Sequence, residues 1–417
     1  MLFRSDSLGV NLDYKVSPNL VLALRTAASH LNDEFVNRTF AFNVGIADVL
    51  PGSTASNILT RANGTATNLS GSTSHRDKIN DTATYTPRLE YKRGDLTVTA
   101  GGGYSRSRTH YEGPNSGFFA GASARVTRMS WQATRSGPAA SDWQLLQLSG
   151  RPWGDPFSYN RDDTNGNNIS ISPQTGQSQV FSGTLDAKKT VRLGLPWIIS
   201  AGTRTRLTTY DLTANNSRQW TYVGPARNQL AATTVVLTEN NHRFDPKNGD
   251  NIGSLNLPFP DTGAMWDLFV AHPEYFTPNT VTNFTNEISQ ARGVKEQIDS
   301  GYVEGNSRWK DLRFNLGLRF ERTRTIGRTV DLVPAATIRR LRPYLVAGTI
   351  PYVAYQYRYG LREPKYGHYQ NWFTSGGVKY ALGKNLNLLL SGNQSIRRPD
   401  YNNIAGLISI NETARQI

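Results

Sequence analysis

Six histidines, at positions 30, 75, 110, 242, 272 and 368, are the side chains best suited to acid–base or metal chemistry. No two stand at the His-x-His or His-Glu-x-x-His spacing that would bring both imidazoles to one metal. The chain has no Cys, which excludes a thiol nucleophile, a disulfide framework and thiolate metal sites. The stretches "GGGYS" (Gly101–Ser105) and "GPNSGFF" (Gly113–Phe119) are glycine-rich. Each precedes a strand pattern, so the helix N-terminus that would receive a phosphate is missing. Their glycines read as relief of crowding in a curved sheet. The stretch "DDTNGNN" (Asp162–Asn168) has calcium-loop oxygens but lacks the downstream Glu that an EF-hand requires. No Ser/His/Asp set can be assembled. Neither catalysis, a metal nor a cofactor is expected.

Aromatic residues offer a different chemistry. Connections without strand alternation carry Trp153, Tyr159, Trp220, Tyr222, Phe244, Trp266 and Tyr275 among Asn, Asp and Arg. Such side chains suit stacking against a large polar ligand such as a glycan or a metal chelate. These seven are the candidate ligand-binding residues.

The elements that must position them alternate with period two. In "LRFNLGLRFERTRT", Leu312, Phe314, Leu316, Leu318 and Phe320 share one face, and Arg313, Asn315, Arg319, Glu321 and Thr323 the other. That pattern predicts a strand with one apolar face. It recurs at Leu96/Val98/Ala100, at Trp372/Thr374/Gly376/Val378/Tyr380 and at Leu386/Leu388/Leu390. Helical periodicity is absent apart from short turns around Asp261–Ala271. Hydrophobic residues make up 37% of the 417, below the globular range of roughly 45–50%. Aromatics reach 10%, too many for a disordered chain.

The 46 Lys and Arg exceed the 32 Asp and Glu, giving a net charge of +14. They are spread along strands and turns rather than clustered, which argues against nucleic acid as a partner. Positive charge inside a pore, or facing anionic lipid head groups, accounts for the balance.

The connections sort by length. Tight turns fall at Ser17–Asn19, Arg93–Asp95, Leu193–Pro196, Lys310–Asp311 and Leu382–Asn385, with the Gly, Pro, Asn and Asp that hairpins need. Long connections span about 45–81, 151–178, 215–294 and 326–367. With Leu20–Val44 as one strand, short and long connections alternate, except at two irregular places, 111–116 and 134–141. About a dozen strands result, each at least the roughly 9–11 residues that a tilted strand needs to cross a bilayer. Turns at one end and large loops at the other are the mark of a transmembrane β-barrel, whose closed ladder satisfies every backbone group crossing lipid. Trp197, Tyr210, Trp309, Trp372 and Tyr380, near strand ends, suit aromatic girdles. The connection at 215–294, roughly eighty residues, is too long for a passive link and is expected to form an ordered extracellular cap.

At "SIRRPDYNNIAG" (Ser395–Gly406), with "GLRFERTRT" (Gly317–Thr325) upstream, the chain resembles the barrel of TonB-dependent outer-membrane receptors. Arg397, Arg398, Pro399, Asp400 and Tyr401 fall on a late-barrel motif. The resemblance implies a barrel of about 22 strands around an N-terminal plug. It implies uptake of siderophores, cobalamin or glycans, energised by TonB. No signal peptide, TonB box or plug sequence is legible here. The expectation is an all-β, transmembrane antiparallel barrel over 1–417, partial at about 12 of 22 strands, a fragment of a longer receptor with the plug domain absent. Its partners would be outer-membrane lipid, a large nutrient ligand and the TonB complex through the missing plug region. The alternatives are a passive porin-like channel and a secreted β-rich glycan-binding protein.

Overall fold

The computed structural model describes residues 2–64, 66–111, 116–160, 168–214, 216–225, 234–236, 257–383 and 385–405. Ten antiparallel strands form a wall: β1 (Leu2–Ser17), β2 (Leu20–Asn43), β3 (Asn68–Arg93), β4 (Leu96–Tyr111), β5 (Gln174–Leu193), β6 (Leu195–Thr213), β7 (Ala291–Trp309), β8 (Leu312–Arg328), β9 (Pro364–Ala381) and β10 (Asn387–Asn393). Each pairs with the next in chain order. Among the described residues, β1 and β10 are the edges of an open sheet.

The alternation of connections is complete. Tight turns follow β1, β3, β5, β7 and β9; long loops follow β2, β4, β6 and β8. Positive φ angles at Gly94 (+57°), Gly194 (+74°) and Lys310 (+53°) close three of the turns. The two irregular places disappear because residues 112–173 are one excursion between β4 and β5. Its strands Gly121–Thr127 and Asn168–Ile171 look like wall strands locally but pair at the loop end. Among the described residues the wall has ten strands, where the sequence pattern counts about a dozen.

Side-chain alternation gives the wall two chemically different faces. Along one row, register aligns Val191, Trp197, Ser307, Phe314, Val378 and Leu390. Two residues higher on β8, Leu316 aligns with Ile199, Gly305 and Gly376. Leu316, Leu388 and Leu390 are 60%, 60% and 74% exposed. Such exposure is costly in water, at roughly 25 cal/mol per Å², and favourable in hydrocarbon. The other face carries Arg308, Arg313, Asn315 and Lys379 and turns to the lumen. Trp197, Trp309, Trp372 and Tyr380 lie on the lipid side. Tyr210 does not: it shares a face with Val294 and Gly327, so it is removed from the girdle.

β3 ties the wall to the loop end. Its lower part pairs with β4, while Asn68–Ser74 pairs with Gly121–Thr127. From there the ladder continues through Asn168–Ile171 and Arg218–Tyr222 to Phe276–Pro278. Four helices complete this region: α1 (Thr262–Ala271), α2 (Thr280–Ser289), α3 (Ala335–Leu341) and α4 (Ile350–Gln356). Of these the sequence pattern indicates only α1. The run "TVTNFTNEIS" of α2 is poor in strong helix formers and is started by Asn279, whose side chain accepts from the Thr282 N–H. The glycines of "GGGYS" have packing roles: a Cβ on Gly103 would stand 2.6 Å from Ser182 Oγ, and one on Gly102 3.3 Å from Pro87.

Candidate functional site

Two aromatic clusters build the region above the wall. In the first, Met129, Trp131, Trp153 and Tyr159 pack with Leu69 and Leu257. Phe42, at the top of β2, meets Trp131 and Trp153 edge-on at 5.8 and 5.6 Å. Tyr159 is fully buried and donates its hydroxyl to the Trp153 carbonyl at 2.8 Å. Burial pushes that phenol well above its usual pKa. In the second, Phe119 is the hub. Its ring lies 5.7 Å from Trp220, 5.2 Å from Trp266, 5.5 Å from Phe269 and 6.1 Å from Phe276. Tyr222 joins through Phe276 at 5.5 Å and Tyr275 at 6.3 Å. Each well-placed pair adds about 0.5–1.5 kcal/mol beyond its buried area.

Of the seven aromatic candidates, Trp153 and Tyr159 thus meet in one cluster, and Trp220, Tyr222, Trp266 and Tyr275 in the other. Tyr159 and Tyr222 are interior, while Trp220, Trp266 and Tyr275 keep part of their surface exposed. Phe244 lies outside the described residues. Phe119 was missed, although "GPNSGFF" placed it beside a loop rich in glycine. No local pattern signals that it would organise rings from a segment a hundred residues later.

Polar contacts fix the loops to each other. Arg362 donates from Nε to the Ala291 carbonyl at 2.9 Å and from its two terminal nitrogens to Ile288 at 2.8 Å and Gly360 at 3.1 Å. One guanidinium thereby joins the loop after β8 to the loop before β7. Thr73 Oγ1 donates to the Pro260 carbonyl at 2.6 Å, tying β3 to the same region. In the loop after β2, buried Asp48 accepts from Asn63 at 2.9 Å and Thr67 at 2.8 Å. Those hydrogen bonds, with Arg61 beyond them, hold its carboxyl below the usual carboxylate range.

The inner wall carries the second part of the site. After β10 the chain does not continue upward. It crosses the lumen-facing side, where Arg398 pairs with Glu321 of β8. Arg319 reaches the other oxygen of Glu321 at 2.5 Å. Tyr401 stacks over Tyr210 at 6.0 Å and 22°. The short helix α5 (Tyr401–Ile404) brings the Ile404 carbonyl so close to Gly327 that a Cβ there would lie 2.5 Å away. Arg397, Pro399 and Asp400 are exposed. Nearer the turns, a groove of about 570 Å³ sets Arg308, Arg313 and Lys379 beside apolar Pro196, Ile198 and Leu389. Among the described residues, no three His, Asp or Glu gather where they could hold a metal.

A family of known proteins shares this part of the chain. Residues 273–411 match the outer membrane protein beta-barrel family. With the apolar outer face, the match places the chain in the outer membrane as an antiparallel barrel wall. The matched range holds β7–β10 and the inward segment with Arg398. Among solved structures, the chain is similar to the ferric-catecholate import receptor Fiu of E. coli K12 in its open form, at 11% identity and a TM-score of 0.38, over 95% of this chain and 54% of that one. It is similar to the siderophore receptor PiuA of Acinetobacter baumannii at 8% identity and a TM-score of 0.36, over 92% and 46%. It is similar to the ferric citrate transporter FecA at 9% identity and a TM-score of 0.24, over 93% and 43%. The chain spans about half the length of these receptors. None of the curated proteins matches it.

Proposed function

We propose that the chain supplies part of the wall and extracellular cap of a receptor that imports a large, scarce nutrient of the siderophore, cobalamin or glycan class, energised by TonB through a plug region. We assign it no catalytic role. The observation that carries this reading is the described part of the loop region: residues 116–160, 257–290 and 329–363 meet through Phe119 and Arg362. A passive porin needs a constriction, not interlocked loops with two aromatic cores. Residues 215–294 would form the larger share of the cap. Trp220, Trp266 and Tyr275 would offer ring surface to ligand, with Trp153, Tyr159 and Tyr222 supporting them and Phe244 nearby in sequence. The basic lumen groove and the Arg319–Glu321–Arg398 cluster would line the passage below.

The test is uptake by cells carrying the whole gene, with and without TonB. The probes are a labelled ferric catecholate, cobalamin and a maltodextrin-sized oligosaccharide. Saturable uptake of one probe that disappears without TonB supports the proposal. Uptake that persists without TonB and falls with solute size overturns it in favour of the porin.

A further inference from the structure

β9 is 18 residues long, whereas β10 has only 7. Their ladder stops just above the Ser375–Asn393 pair, where the Gln394 N–H donates to the Thr374 carbonyl at 3.1 Å. The Thr374 N–H goes to the Gln394 side-chain oxygen at 3.2 Å, which also accepts the Thr374 hydroxyl at 3.1 Å. A side chain thus caps the ladder at the point where the Gln394 carbonyl would continue it. Above this cap, residues 364–373 of β9 have no strand partner on the side away from β8 among the described residues.

The chain after β10 lies on the inner face instead. Arg398 holds it at Glu321, Tyr401 stacks on Tyr210, and Ile404 rests against Gly327. Between the level of Glu321 and that of Tyr210 and Gly327 lie two rows, one with Ile298 and Thr323, the next with Thr208, Glu296 and Thr325. Thr323, Thr208 and Glu296 are only 1%, 3% and 6% exposed. The two buried hydroxyls have no hydrogen-bond partner, and Glu296 has no ion pair among the described residues. Buried polar groups are nearly always paired, so the inward position leaves this patch poorly satisfied. The helix formed there, α5, is four residues of "YNNI", weak helix formers of which Tyr and Ile favour strands.

The open edge of β9 fits the same residues. Carried upward, the β9–β10 register would set Ile396 opposite Trp372, Arg398 opposite Gln370 and Asp400 opposite His368. Alternate residues of an antiparallel strand bond to a given neighbour. Since Gln394 donates to β9, Ile396, Arg398 and Asp400 would donate as well. Pro399 would turn its nitrogen away from β9 and cost the ladder no bond. Ile396 would join the exposed Trp372 ring on the apolar face.

We propose that residues 395–404 are a gate with two seats, one inward and latched by Arg398 on Glu321, the other along β9 as the upper half of β10. The move exchanges an ion pair and a ring stack for ladder hydrogen bonds, so each seat has its own specific contacts. It also uncovers Thr208, Glu296 and Thr323. In the transport reading, on which this consequence rests, the inward seat narrows the passage and the strand seat clears it.

The chain has no Cys, so an introduced disulfide reports the seat. In the strand seat the Cα atoms of 368 and 400 would stand about 5.5 Å apart, within disulfide reach. In the inward seat Asp400 belongs to a segment on the inner face, whereas His368, aligned with exposed Arg324, points outward. The full chain with His368→Cys and Asp400→Cys, purified in detergent, is mildly oxidised and analysed by mass. The internal disulfide is expected to form slowly, and about tenfold faster when Glu321→Gln weakens the latch. A separate Thr323→Cys variant should react with a maleimide about tenfold faster after the same Glu321→Gln change. Heat-modifiable gel migration shows that the variants remain folded; where the double variant does not, the Thr323→Cys rates decide alone. Absence of the internal disulfide in the folded protein, or rates that Glu321→Gln leaves unchanged, overturns the proposal. A disulfide between two chains instead also overturns it, since a second copy would then occupy the edge. No transported solute enters these measurements, so their failure leaves the transport reading standing.

Discussion

Arg398 forms an ion pair with Glu321 across 77 positions of sequence, joining the segment after β10 to the inner face of β8. The Glu321 side chain is only 10% exposed and is held between Arg398 and Arg319. Removing either partner leaves a largely buried charge with fewer contacts.

Arg398→Ala is therefore expected to loosen the inward segment by about 1–3 kcal/mol. Amide hydrogen exchange at Ile404 and Ala405, which bond to Asp400 and Tyr401, should accelerate about tenfold or more. Arg397→Ala, which removes an exposed side chain, should change it little. Equal effects from the two would show that the pair does not hold the segment.

The two wall faces make opposite predictions for neighbouring residues. Leu316→Arg puts a charge into hydrocarbon and should cost about 2–4 kcal/mol near the bilayer midplane. Asn315→Arg adds charge on the polar face and should be nearly neutral. Urea unfolding of the chain reconstituted in lipid vesicles measures both.

Arg362→Ala removes donors from three carbonyls, those of Ile288 and Gly360 in two loops and that of Ala291 at the start of β7. Protease cleavage within 257–290 and 329–363 should rise together, while the strands stay protected. Gly360→Ala should act in the same direction by about 1–2 kcal/mol, because Gly360 has φ +79° and lies against Ile288. Cleavage confined to one loop would mean the clamp does not couple them.

Asp48 predicts an acid-sensitive loop. Its folded pKa lies below the unfolded value because Asn63 and Thr67 hydrogen-bond the carboxylate. Its contribution is thus present above the unfolded value, near 4, and is lost as pH falls through the folded value. Exchange at Arg61, whose amide bonds to the Asp48 carbonyl, should accelerate as pH drops below 4, after correction for intrinsic rates. Asp48→Asn should remove that dependence.

The sequence alone determined the wall. Period two is a local property: Leu312 to Phe320 alternate with Arg313 to Glu321 whatever surrounds them, and three of the five tight turns declare themselves through Gly94, Gly194 and Lys310. Composition and loop order were enough to point to a membrane barrel. Tertiary structure alone decided what the long loops do. That 112–173 leaves the wall depends on Asn68–Ser74 of β3 accepting Gly121–Thr127 as a partner. That Phe119 gathers Trp220 and Trp266, and that Arg398 turns inward to Glu321 rather than outward to head groups, depends on residues far apart in the chain. An alternating segment specifies which of its side chains share a face, but not which strand it will meet. That choice is made by hydrogen-bond partners and ring contacts that exist only once the chain has folded.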